Sequence, residues 1–140
     1  MKMSKHTPVV ALVKVAKYLT FKDIYNVKTP MSMEVEIIEV YKGIENRKTV
    51  TIWGDNGILC RPYLSEFKEG EYFVIAFYYS KSARSDSEEK DTDYFISICG
   101  AYWLNVDFQK STVTGDVNSK DRKSVTINLS QLKSDLLKNN

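Results

Sequence analysis

Between Glu34 and Val106 the chain is a succession of short β-rich runs closed by turn signals, and this punctuation restricts what it can fold into. The runs read EVEIIEVYKGIENRKTVTIWGDNGILC, FKEGEYFVIAF and YFISICGAYWLNV, with single cysteines at Cys60 and Cys99. Val9–Val15 is apolar on both faces apart from Lys14, the pattern of a central strand. The segment KYLTFKDIYNVKTPMS is less regular, and Pro30 marks a long connection with room for a helical turn. Met33–Tyr41 alternates again, and its period of two slips at Ile37–Ile38, the sequence signature of a β-bulge. Lys42-Gly43 ends that strand.

Thr49–Trp53 is the next strand, followed by the turn Gly54-Asp55-Asn56-Gly57, where Asn-Gly tolerates the positive φ of tight turns. Pro62 and Gly70 punctuate RPYLSEFKEGE. Tyr72–Tyr78 is apolar on both faces and is expected to be buried or covered. Ser80–Asp93 has no large apolar residue and is expected to be the solvated tip of a hairpin, with Tyr94–Cys99 as the return strand. A polar stretch from Gln109 to Ser124 leads to Ser124–Leu129, strand or extended chain. Ser130 is then expected to cap a short helix with Leu132, Leu136 and Leu137 along one stripe. These elements predict a mainly β fold, five strands in a closed or nearly closed antiparallel barrel with a short C-terminal helix. Closure removes the edges of strongly apolar strands; an open β-sandwich is the competing arrangement. The length of 140 residues suits one domain, with its core in 9–106 and a C-terminal extension and helix in 107–140.

Composition excludes several function classes. A net charge of +2 gives no electrostatic case for nucleic acid or an anionic membrane. No stretch approaches the ~20 apolar residues of a membrane span, and MKMSKHTPVV has no apolar core or cleavage site of a signal peptide. A cytoplasmic protein and a mature form with its leader removed both satisfy these observations. Two cysteines are too few for a disulfide framework or a tetrahedral zinc site; one disulfide and two buried thiols both fit.

The candidate chemistry is sparse. His6 is the only histidine, so a His-based metal site is not expected, and nothing in the sequence brings it to Cys60 as a thiol–imidazole pair. Glu34 and Glu36 share one strand face about 7 Å apart, where they read as a solvated outer surface; glycoside hydrolysis needs carboxylates opposed across a cleft. Glu88, Glu89, Asp91 and Asp93 lack the glycine and closing glutamate of a calcium loop. There is no phosphate-binding glycine loop and no nucleophile elbow. The expectation is a non-enzymatic chain without a cofactor. Aromatic runs such as Tyr72-Phe73 and Tyr94-Phe95 lack the interleaved basic residues of a base-stacking surface, so nucleic acid is an unfavoured partner.

Val40-Tyr41-Lys42-Gly43, the strand GEYFVIA from Gly70, and Cys99 followed by Trp103 resemble the TIMP-like (netrin-like) domain. That family comprises the tissue inhibitors of metalloproteinases and bacterial relatives, and the resemblance covers roughly Val9 to Val106. It implies an OB-fold barrel, an extracytoplasmic location with a leader absent from this chain, and a protein partner such as a protease or a cell-surface protein. In the family an N-terminal Cys-x-Cys chelates the protease zinc and is disulfide-bonded to two later cysteines, which Cys60 and Cys99 match. Here no cysteine precedes Cys60, and Met1 and Met3 stand where the pair is expected, so inhibition by chelation is not implied. The adjoining loop, Gly57, Ile58, Leu59 and Cys60, matches the family's contact ridge. Exposed, Ile58 and Leu59 would form an apolar patch; the commoner fate of such residues is to begin the return into the core. The alternative function is an OB-fold that binds single-stranded nucleic acid or a glycan.

Overall fold

The computed structural model of the chain describes residues 7–82, 88–98, 102–115 and 125–138, with the side chains of 82, 125 and 136–138 left out. His6, Cys99 and the side chains of Leu136 and Leu137 lie outside the described residues. The chain is mainly β: β1 (Val9–Ile24), β2 (Val27–Lys42), β3 (Thr49–Trp53), β4 (Tyr72–Tyr79), β5 (Tyr94–Phe95), β6 (Trp103–Asp107), β7 (Thr112–Gly115) and β8 (Val125–Asn128), then helix α1 (Leu129–Lys138).

The eight strands among the described residues belong to one sheet ordered β1-β2-β3-β5-β4-β6-β7-β8, and β1 pairs with β4 as well. The first five strands therefore form a ring, β1-β2-β3-β5-β4 and back to β1. The β1–β4 contact is broad, running from Val9↔Phe77 to Lys14↔Tyr72. The β3–β5 contact is narrow and parallel, Ile52↔Tyr94 and Trp53↔Phe95. The expectation of five wholly antiparallel strands is thus corrected: one ring pairing is parallel, and three further strands extend the sheet from β4.

Two long strands replace the predicted early connection. Residues 16–24 and 27–32 continue β1 and β2 into a hairpin whose turn residues, Tyr25 and Asn26, have φ of 50° and 64°. Pro30 pairs with Phe21 where β2 has only β1 beside it, an edge position that tolerates the missing N–H. Bulges bend the pair into the ring. Between Leu12 and Val13 the partner jumps from Glu39 to Ile37, so Ile38 is the extra residue at the slip that the sequence pattern predicts. Further irregularities fall at Ala16 and Leu19 of β1.

The polar stretch after Phe108 contains β7, whose Val113 is wholly buried. Along one side of β4, β5 and β6 lie end to end; Tyr102 O accepts Ala76 N at 2.8 Å between them. The return strand expected over Tyr94–Cys99 is shortened to Tyr94–Phe95, and residues 96–98 leave the sheet. The helix is present, but its cap is Asn128, whose Oδ1 accepts the Ser130 N–H at 2.8 Å, while Ser130 lies inside it. Leu132 is its described anchor, 2% exposed.

The core combines Val10, Leu12, Met33, Val35, Ile52, Phe73, Ile75 and Leu104 with Leu64 and Phe67 from the β3–β4 connection. Phe67 meets Phe73 and Trp103 edge-on at 4.9 and 5.4 Å. Gly43, of the VYKG run, has φ +83°, and a Cβ there would meet Pro8 O at 2.0 Å. Only glycine permits that approach of the chain to the start of β1.

Candidate functional site: the loop after β3

Local hydrogen bonds shape residues 54–61. Gly54 N donates to Met31 O at 3.0 Å and Asp55 N to Pro62 O at 2.9 Å. A Cβ on Gly54 would lie 2.5 Å from Leu64 Cγ, so the strand exit packs flat on the core. The Asp55 carboxylate is buried and gathers the turn: its Oδ1 accepts the N–H of Gly57 at 3.0 Å and of Leu59 at 2.8 Å. Asn56 Oδ1 accepts the Ile58 N–H at 3.3 Å. With these backbone donors satisfied inward, the Ile58 side chain faces outward and is 89% exposed. The expectation that Ile58 begins the return into the core is overturned; Leu59 is half-buried. Gly57, at φ +106°, lies against Ile24 at the end of β1, so the loop abuts the β1–β2 hairpin.

Behind the loop is a buried polar cluster that the sequence does not announce. Arg61 Nη2 and Glu89 Oε1 pair at 3.0 Å with both side chains enclosed. Ser80 Oγ donates to the same Glu89 oxygen at 3.0 Å, and the guanidinium lies 4.4 Å from the Phe95 ring centroid. Beside it, Asp93 Oδ2 accepts Trp53 Nε1–H at 2.9 Å and Lys90 N–H at 3.0 Å. Such charges tolerate burial because each has a charged or hydrogen-bonding partner. Ser80–Asp93 is therefore not a wholly solvated tip: Glu88 and Asp91 are exposed, while Glu89 and Asp93 tie residues 88–93 under the loop. The sequence signal within reach was Asp55, in a Gly-Asp-Asn-Gly turn; Arg61 and Glu89 are 28 residues apart by number, with no periodicity joining them.

A second charged cluster closes the seam between the β2–β3 connection and β5. Glu45 Oε1 accepts Arg47 Nη2–H at 2.6 Å and Tyr94 Oη–H at 2.7 Å, and Arg47 also reaches Thr92 O at 2.8 Å. Burial pushes the Glu45 carboxyl up, but hydrogen bonds from the Arg47 side chain and backbone and from Tyr94 outweigh it and hold the carboxyl at about 2. The Tyr94 hydroxyl is raised by burial and by its bond to Glu45.

The structure thus groups Gly57, Ile58, Leu59 and Cys60 on one held loop. Cys60 is exposed, and its carbonyl accepts the Ile98 N–H at 3.1 Å; Cys99, the next residue, is outside the described region. Glu34 and Glu36 sit half-buried on the same face of β2, opposite Lys17 and Lys14 of β1. Among the described residues no group of three or more His, Cys, Asp or Glu side chains could hold a metal ion. No described helix is long and apolar enough to cross a membrane. No family model, curated protein or solved structure matches the chain.

Proposed function

We propose that the chain is a non-enzymatic protein-binding domain that engages its partner through the loop Gly57–Cys60. The observation that carries this reading is Ile58, 89% exposed on a turn whose Gly57 and Leu59 N–H groups donate to Asp55. An apolar side chain held out on a rigid loop costs little conformational entropy when a partner covers it, the condition for an interface anchor. The ring order β1-β2-β3-β5-β4-β1 supports an OB-fold barrel, and with it the TIMP-like reading. An oxidising, extracytoplasmic location belongs to the same reading and rests on the TIMP-like resemblance alone. The partner is a protein at that location, a protease or a cell-surface protein, bound without zinc chelation by this chain.

A photo-crosslinking residue at position 58 or at position 44, introduced in the cells that make the protein, tests this. Ile44 is 80% exposed and lies on a different loop. A discrete protein adduct from position 58 and none from 44 is the expected result. Equal labelling from both, or none from 58, rejects the loop as the contact surface. Adducts to nucleic acid, with binding that falls steeply as salt is added, would favour the oligonucleotide reading instead.

A further inference from the structure

A cleft of about 520 Å³ opens between the start of β4 and the β6–β7 turn, lined by Glu71, Tyr72, Asn105, Asp107, Phe108 and Gln109. We propose that this cleft binds a neutral oligosaccharide. None of its residues belongs to the Gly57–Cys60 loop, so the proposal stands apart from the protein-binding reading.

The site is built by register. Tyr72 pairs with Val106 across β4 and β6, which brings Tyr72 and Phe108 together with ring centroids 4.4 Å apart at 81°. Phe108 stays 44% exposed, so the pair forms an apolar corner facing the cleft rather than a buried contact. Asp107 Oδ1 accepts the N–H groups of Gln109 and Lys110 at 3.0 and 3.2 Å, which fixes the turn that carries Phe108. At the other wall a Cβ on Gly70 would touch nothing within 4 Å, so that entrance is clear.

The chemistry of the lining selects the ligand. The Asn105 and Gln109 amides both donate and accept, and the Glu71 and Asp107 carboxylates accept; sugar hydroxyls need both. The aromatic corner suits the apolar C–H face of a pyranose. Nucleic acid is disfavoured, because two carboxylates line the cleft. A cationic peptide is opposed by the positive charge already there: Lys14 Nζ sits 5.7 Å from the Tyr72 ring centroid. The volume falls within the usual range for ligand sites, but the cleft is open, which suits a chain passing through more than a compact apolar molecule.

Amide chemical-shift mapping on the full chain tests this with cellohexaose, chitohexaose and maltohexaose, each to about 10 mM, an upper bound for weak recognition. The expected result is shifts confined to 70–72 and 105–109 with at least one of the three. Phe108→Ala and Asp107→Asn should each weaken that binding about tenfold, the loss of one good contact. Asp107→Asn keeps the oxygen that holds the turn, and Glu71→Gln gives a second charge-removing variant away from it. No shift with any of the three sugars, shifts elsewhere, or a response of these residues to tetralysine or oligothymidylate but not to sugar would overturn the proposal.

Discussion

Ile58 projects into solvent and Glu89 is enclosed, and in both cases hydrogen bonding decides the placement over hydropathy. Asp55 satisfies the loop backbone and leaves Ile58 nothing to pack on. Ile58→Asp should therefore change folding stability by no more than about 0.5 kcal/mol, measured by urea unfolding. Glu89 is the opposite case. Arg61→Met or Glu89→Leu alone strands a buried charge and should cost about 3–5 kcal/mol, whereas the two together should recover much of the loss. Glu45 adds a pH dependence. Its folded carboxyl is held at about 2, below the ordinary 4.5, so its contribution is complete above about 4.5 and is lost as pH falls through about 2. Glu45→Gln should flatten the stability–pH curve across that window; an unchanged slope would show that the Arg47 and Tyr94 bonds do not persist in solution.

The strands differ in how openly their residues declare them. Thr49–Trp53 and Tyr72–Tyr79 are legible because alternation or continuous β-rich apolarity is bounded by glycine and asparagine turns. The Ile37–Ile38 slip is legible as well, since an extra residue shifts the period of two. The outer hairpin is not: Leu19, Phe21, Tyr25 and Val27 are exposed there, so no core imposes a pattern, and Pro30 imitates a break. Its turn carries Tyr25 at φ 50° and 90% exposure, a conformation that asparagine adopts more readily than tyrosine. Tyr25→Asn should stabilise the chain by about 1 kcal/mol in thermal unfolding. The terminal helix relies on Leu132, packed within the core cluster, and Leu132→Ala should cost about 2–5 kcal/mol. β7 carries too short a signal to read from sequence, since Val113 alone is buried among polar neighbours.

At the scale of the molecule, a ring joined by a two-residue parallel seam between β3 and β5 carries a loop at the end of β3. The Glu45–Arg47–Tyr94 bonds tie the β2–β3 connection to β5 at that seam, and the Arg61–Glu89 pair ties the end of the Gly57–Cys60 loop to residues 88–93. The loop itself was legible as Gly57–Cys60; its support was not, because Arg61, Glu89 and Asp93 meet only through the ring. The protein-binding proposal rests on Ile58 as the anchor for a protein partner. The most direct measurement is the affinity of the partner captured at position 58 for the purified chain and for its Ile58→Asp and Ile44→Asp variants. Ile58→Asp should lose at least about tenfold in affinity, equivalent to about 1.4 kcal/mol, and Ile44→Asp nothing, with both variants as stable as the parent. Unchanged affinity for Ile58→Asp, or an equal loss in the two variants, would rule Ile58 out as the anchor.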